Sequence, residues 1–469
     1  MAILAAAAYI PFHRLDRSAI GAALGGGGGK GTRAVASYDE DTTSMGVEAA
    51  RNALANLPAE LSPRVVLFAT SDPAYLDKTN ATAIHAALDL DASVAAYDVT
   101  GSSRSGIGAL RLGTALGEPA LVIMSDLRTG LPGGADERDG GDAAAAFVVA
   151  GGNPAHQTHV LGRGAATLEF LDRWRLPGEH ASHLWEERFG EHAYLPLAQA
   201  AFTDACKNAG VTPDALDHVV VTGLHARAVR SVPRAIGVRA EAVVDDLTAQ
   251  IGNAGTAHPG VLLASLLETA EPGKKVGFVH LADGADATVF ETTDALGAVR
   301  PRRTVAEQIA SGRTGLSYET FVTWRGFLDR EPPRRPDPVA PGAPPALRAE
   351  GWKFGFSGSR CEECGERHLP PTRVCANCGS VDRMVPVRMA DVPGTIATYT
   401  IDRLAYTPSP PLVAAVIDFD GGGRFRCELT DVDPGTVAIG NRVEMTFRRT
   451  GTAQSVHNYF WKARPLGDA

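Results

Sequence analysis

The 469-residue chain is poor in cysteine, methionine and aromatic residues, with six Cys, six Met and 6% Phe, Trp and Tyr. It also lacks an excess of positive charge: the formal net charge is −9. That balance excludes a general nucleic-acid or anionic-membrane binder, because holding phosphate needs a basic surface. No apolar run reaches the roughly 18–20 residues that cross a bilayer. Residues 1–10 are apolar, but no positive charge precedes them. They read as a buried first strand, not a signal peptide. The cysteines are too few for a disulfide framework. Cys361, Cys364, Cys375 and Cys378 fall in one cluster, while Cys206 and Cys427 stand alone. This is metal-site usage in a reducing compartment, and the expected location is cytoplasmic.

What is present is ordinary for a globular chain: 44% hydrophobic and 21% charged residues. The length predicts two or three domains. Over residues 1–295, short apolar runs alternate with Ala-rich helical runs. Segments 65–70, 94–99, 120–125, 147–150, 219–222 and 276–281 read as buried strands of an α/β fold. Segments 45–57, 107–116, 197–209 and 261–270 read as helices. A faint repeat is visible. Residues 65–71 resemble 219–225, and Asp98-Val99-Thr100 and Asp246-Leu247-Thr248 each lead into a Gly-rich turn and an Ala/Leu helix. Such a period suggests a duplicated half. The Pro-rich stretch 330–347 predicts a semi-extended linker. Beyond it, segments 395–402, 412–419, 424–429 and 442–449 read as strands of a small barrel.

The most specific motif is the pair Cys361-Glu-Glu-Cys364 and Cys375-Ala-Asn-Cys378, ten residues apart and each followed by Gly. Two such knuckles in register close a tetrahedral thiolate site, as in a zinc ribbon. Four protein ligands leave no open position, so this Zn²⁺ is expected to be structural. By contrast, the glycine run 25–29 with Lys30 fails the spacing of a phosphate loop and reads as a surface loop.

Residues 1–295 resemble the thiolase superfamily, in particular hydroxymethylglutaryl-CoA synthases and their ketoacyl-synthase-III-like relatives. The resemblance is carried by Ala8-Tyr-Ile-Pro11, the 39–45 segment Asp-Glu-Asp-Thr-Thr-Ser-Met, Ala69-Thr-Ser71, and the 95–103 segment Ala-Ala-Tyr-Asp-Val-Thr-Gly-Ser-Ser. Gly141-Asp-Ala-Ala-Ala145 and Ile251-Gly-Asn-Ala-Gly255 complete it. Residues 350–469 resemble zinc-ribbon/OB-fold proteins that accompany thiolase-like enzymes as acyl-CoA-associated subunits. Here the carriers are the knuckles, Pro370-Pro371, residues 394–400 and Phe460-Trp-Lys-Ala-Arg-Pro465. The resemblance implies an α/β, duplicated, five-layer thiolase-like fold over 1–295, with halves of about 1–165 and 166–295. It further implies a helical and Pro-rich linker over 296–349, a zinc ribbon over 350–385 and an all-β OB-fold barrel over 386–469.

In that family a Cys at a helix N-terminus attacks the acyl thioester, a His and an Asn stabilise the thioester oxygen, and in the synthase branch a Glu serves as acid and base. Carried over, His225 and Asn253 match the His and Asn, and Gly284 falls on the loop donating an oxyanion N–H. The nucleophile position falls on Ser103, and the Glu position on Ser71 or Asp72. A serine hydroxyl needs a positioned base to act as a nucleophile. Ser103 is alternatively a helix cap, Asp72 a turn former before Pro73, and His258 a helix-start residue. Arg104 faces either a CoA phosphate or an internal acid.

The expected activity is acyl transfer or carbon–carbon bond formation on a CoA or acyl-carrier thioester, with Ser103 in place of Cys. One alternative is an aldolase-type lyase acting without an acyl-enzyme. The other is a non-catalytic acyl-CoA-binding partner of a thiolase. The superfamily implies a homodimer, possibly joined by a separate thiolase, with no nucleic-acid or membrane partner.

Overall fold

The computed structural model describes residues 2–151, 156–334 and 339–466. Met1 of the opening segment and residues 335–338 of the Pro-rich stretch lie outside the described residues. The chain divides into two compact units. The first comprises Met1–Ala36, Glu48–Thr82 and Ala92–Phe321. The second comprises Ser37–Val47, Ala83–Asp91 and Val322–Ala469.

The first unit holds two sheets. Strands β1 (Ile3–Tyr9), β2 (Val65–Thr70), β3 (Ala95–Thr100), β4 (Ala120–Leu127) and β5 (Asp142–Val149) form one, in the order β1-β5-β4-β2-β3. Strands β6 (Thr158–Thr167), β7 (His218–Gly223), β8 (Lys275–Leu281) and β9 (Gly284–Thr292) form the other, in the order β7-β8-β9-β6. The two share one wiring. In each, the inner strand runs parallel to its successor and the last two pairings are antiparallel. The counterpart of β3 in the second sheet is a single parallel bridge, Val219 to Val243. The faint sequence repeat is therefore a duplicated fold. Strand β6 pairs with β9, so residues 158–167 belong to the second sheet.

Helices α1 (Ser105–Ala115) and α4 (His258–Thr269) belong to a core cluster that takes side chains from both sheets, including Val122, Phe147, Val276 and Phe290. Nine of the twelve α4 residues are buried, as a helix enclosed between two sheets requires. Helices α2 (Glu187–Ala209) and α3 (Ala226–Ala235) pack with β6–β9 around Phe202, Val221 and Val279. The layering is that of a thiolase-like fold.

Three segments differ from expectation. Strand β5 starts at Asp142, because Ala143–Ala146, a helix-favouring run, is buried at every position of the sheet. Helix α2 begins ten residues before the expected 197, with Pro196 inside it. Residues 296–321 belong to the first unit and are not linker. Helix α5 (Val305–Ala310) opens with a Thr304/Glu307 capping box. Gln308 just inside it bonds the Ala8 carbonyl and the Ile10 N–H, both at 2.9 Å, docking the helix on the end of β1.

In the second unit, β10 (Ser357–Cys361) pairs with β11 (Arg367–His368) and β12 (Met384–Arg388). A closed barrel follows, in the order β13 (Gly394–Asp402), β14 (Leu412–Phe419), β15 (Arg424–Leu429), β17 (Val456–Pro465), β16 (Arg442–Ala453). Ile417, Met445, Phe447 and Trp461 fill its core. Asp39, Glu40 and Arg448 form a buried charge cluster in the same unit. Among the described residues, no helix is long and apolar enough to cross a membrane.

Candidate functional site

A cavity of about 460 Å³ opens in the first unit. Its wall includes Ser71 and Asp72 beyond β2, Thr100–Ser103 beyond β3, and Leu281–Asp283 beyond β8. These are the carboxyl ends of parallel strands, where turns into helices expose backbone N–H groups. The wall is completed by Arg128, Tyr194 and the 172–179 segment.

Ser103 is buried and precedes α1. Arg104 is the residue ahead of the helix and no side chain caps it; Ser102 Oγ accepts from the Arg104 N–H at 3.3 Å. Among the described residues, no side chain forms a hydrogen bond with Ser103 Oγ. The structure thus brings the sequence-matched nucleophile position to the cavity, with the buried His280 imidazole against its backbone and no hydrogen bond between that ring and Oγ.

Asp72 also lines the cavity, with Oδ1 3.5 Å from Arg175 Nη2. Four other residues expected at the site are not part of the wall, and each is held elsewhere by a bond of its own. His225 Nδ1 accepts from the Ala228 N–H at 3.1 Å and caps α3, while Nε2 lies 2.9 Å from the Glu187 carbonyl. Asn253 donates to the Gly223 carbonyl and accepts from the Gly255 N–H. Arg104 turns to an internal acid, with Nε 2.7 Å from Asp286 and Nη1 2.9 Å from the Asp283 carbonyl. Gly284 is the first residue of β9, in register with Thr167. Among the described residues, Ser103 forms no hydrogen bond with His225 or Asn253, whose own polar atoms bond backbone groups. Buried polar groups take the nearest partners that satisfy them: backbone for His225 and Asn253, and the Asp286 carboxylate as well as backbone for Arg104.

His258 is indeed a helix-start residue, fully buried. Burial pushes the imidazoles of His258 and His280 down to about 4, so both are neutral at pH 7.

Sequence reasoning missed three guanidinium groups on the wall: Arg128, Arg173 and Arg175. Arg173 holds Asp136 through both terminal nitrogens. Arg128 Nη2 lies 3.6 Å from Asp136, and Arg128 Nη1 lies 3.5 Å from Ser71 Oγ. Arg175 donates to the Ser71 carbonyl. One signal was available. Arg173-Trp-Arg175 in an extended segment places both arginines on one face. It also missed Tyr194, whose hydroxyl burial raises far above its usual range, with Asp172 and Asp283 adding to the effect.

The second unit carries the candidate metal centre. The Sγ atoms of Cys361, Cys364, Cys375 and Cys378 all lie within 4.8 Å of one another, the only such metal-capable cluster among the described residues. Cys361–Cys378 and Cys364–Cys375 sulfurs are 3.7 and 3.5 Å apart. Tetrahedral Zn–S bonds of about 2.3 Å place sulfurs about 3.8 Å apart, so the donor set fits Zn²⁺. The knuckles are near copies: Gly365 and Gly379, at φ of 79° and 75°, each return an N–H to the first Cys carbonyl at 2.9 Å. That left-handed conformation favours glycine. His368 Nε2 sits 3.4 Å from Cys375 Sγ.

Fold and site together define a thiolase-like α/β unit joined in one chain to a zinc ribbon and an OB-fold barrel. Residues 355–382 match the family model of the ChsH2 rubredoxin-like zinc ribbon domain, and residues 386–448 that of the ChsH2 C-terminal OB-fold domain. The chain is similar to the hydroxymethylglutaryl-CoA synthase of Pyrococcus furiosus, 27% identical over 330 residues, covering 68% of this chain and 94% of that one. Among solved structures, the HMG synthase of the curacin biosynthetic pathway, in complex with holo donor-ACP, superposes with a TM-score of 0.60 at 18% identity, covering 69% of this chain and 87% of that one. The 3-oxoacyl-(acyl carrier protein) synthase III of Pseudomonas aeruginosa gives 0.55 at 18% identity, covering 62% and 98%.

Proposed function

We propose that the first unit acts on the acyl group of a CoA or acyl-carrier thioester, making or breaking a carbon–carbon bond without acylating Ser103. The observation that carries this reading is Ser103 itself, a hydroxyl where the resemblance expects a thiol, buried at the cavity wall ahead of α1 and not hydrogen-bonded by the neighbouring His280 imidazole. A serine Oγ attacks a thioester carbonyl carbon only where a hydrogen-bonded base takes its proton. The helix start still supplies what an enolate needs. Its N–H groups and positive dipole end favour a thioester oxygen that becomes negative. The similarity to acyl-condensing synthases supports the substrate class, and the solved complex with an acyl carrier protein supports a carrier as an alternative donor. Cys361, Cys364, Cys375 and Cys378 would hold one Zn²⁺, which supplies folding energy to the ribbon and no step of the reaction.

The test is mass spectrometry of the protein after acetyl-CoA, with turnover of Ser103→Ala. No adduct on Ser103 and retained turnover are expected. An acetylated Ser103, or a folded Ser103→Ala without turnover, overturns the non-covalent mechanism. Complete absence of acyl-CoA chemistry, with CoA esters still bound, leaves the scaffold of a separate thiolase as the function.

A further inference from the structure

We infer that a cavity in the second unit binds an aromatic carboxylate. The cavity, of about 310 Å³, lies between the helical residues 341–353 and the first turns of β17. It shares no residue with the cavity of the first unit and stands apart from the thioester reading.

The helical wall spans Ala343–Arg348 and Glu350–Lys353. Ala346, Ala349 and Lys353 follow one another at helical spacing and so share a face. Asn458 and Phe460 of β17 also line the cavity, as does Trp352. The indole of Trp352 is fixed in place. It stacks on Phe356 with centroids 5.2 Å apart and meets Phe425 and Phe460 edge-on at 5.4 and 5.3 Å. A lining of methyl groups and immobilised rings suits a flat apolar body, because rings pair edge-to-face or offset at such distances. The volume is at the small end for ligand pockets, which limits the ligand to one compact group.

The polar groups on the lining select the charge. Among the described residues, the Trp352 indole N–H, the Lys353 ammonium and the Asn458 side-chain amide have no hydrogen-bond partner. Tyr459, on the same lining, spends its hydroxyl on Asp41 at 2.7 Å. No carboxylate among the described residues pairs with Lys353, whose Nζ lies 5.7 Å from the Phe354 ring centroid. Burial lowers the pKa of that ammonium, so an entering anion meets a cation that has lost part of its water. One ammonium matches the single charge of a carboxylate. A phosphate group would carry up to two charges into an apolar lining.

The experiment is calorimetric titration of the full chain with 2-naphthoate, 2-naphthamide, octanoate and inorganic phosphate. It is repeated on Lys353→Met, which removes the charge, and on Ala346→Leu, which fills the cavity; far-UV spectra check the fold of both. 2-Naphthoate is expected to bind at least about tenfold more tightly than 2-naphthamide or octanoate, and to lose at least about tenfold in each variant. Equal binding of acid and amide overturns the carboxylate recognition, and octanoate bound as tightly as 2-naphthoate overturns the aromatic class. Binding of 2-naphthoate that survives both variants places the ligand elsewhere and overturns the site. Phosphate bound by the wild type and lost in Lys353→Met, with no organic probe bound, overturns the ligand class. No binding of any probe overturns the proposal; a dimer in light scattering that Ala346→Leu dissolves then assigns the cavity to a second copy.

Discussion

His225 Nε2 lies 2.9 Å from the carbonyl oxygen of Glu187, and its Nδ1 accepts the Ala228 N–H. An imidazole that accepts at Nδ1 carries its proton at Nε2 and donates there. Both nitrogens are therefore occupied, one capping α3 and one pinning the start of α2. His225→Ala should cost about 1–2 kcal/mol of stability, the range for losing a cap and a hydrogen bond. His225→Asn should recover part of it. Urea denaturation measures both. A tenfold loss of turnover in His225→Ala with unchanged stability would place the ring in the chemistry instead.

The zinc ribbon should contain about one Zn²⁺ per chain, and replacing any one of Cys361, Cys364, Cys375 or Cys378 by Ser should unfold it. Metal analysis of the purified chain, with far-UV spectra before and after chelation, measures this. Turnover that needs added metal while the ribbon stays loaded would contradict a structural role.

Arg448 is fully buried against Glu40 at 2.7 Å and Asp39 at 3.6 Å, with Asp431 on its other side. Lys462 holds Asp39 at 2.9 Å. Despite its burial, these cations bring the Asp39 carboxyl down to about 2. Removing one member leaves buried charge uncompensated, so Arg448→Met should destabilise by about 3–5 kcal/mol. The double change Arg448→Met with Glu40→Gln should cost less than the sum of the two single changes. Additive losses in denaturant titration would mean that the cluster does not act as a unit.

Glu268 receives the Val305 N–H at both carboxyl oxygens. Burial raises its carboxyl from 4.5 to about 7, with Glu307 adding to the rise. The unfolded chain then ionises first, so stability should fall as pH rises from about 4.5 to 7 and level off above that. The full span is on the order of 3 kcal/mol. Glu268→Gln should abolish the contribution of this group to the slope. Stability curves for the two proteins that stay parallel across this range would refute the assignment.

Strand β3 is the edge of its sheet, with Tyr97 58% exposed and Leu112 of the following helix 55% exposed. An open edge beside apolar side chains is a pairing surface, and the superfamily resemblance implies a dimer there. Light scattering at micromolar concentration should give twice the chain mass, and Tyr97→Asp should give the monomer. An obligate interface of this kind buries more than about 2,000 Å². A wild-type monomer would remove the proposal.

Some of this molecule is written locally in the sequence. The apolar runs of β2, β4, β7 and β8 are legible because a buried strand needs consecutive apolar residues. The Cys-x-x-Cys-Gly repeats fix the metal centre, since ligands, turn and glycine lie within five residues of each other. The duplicated wiring is visible because both halves kept their strand–turn–helix order. What tertiary structure alone decided is where side chains point at the strand ends. For His225 and Asn253, backbone partners 38 and 30 residues away along the chain take their polar atoms. The arginine cluster was out of reach for the same reason. Arg128 and Arg175 lie 57 and 104 residues from Ser71. Only the pairing of strands, and the extended 172–179 segment laid across their ends, brings those charges to one serine.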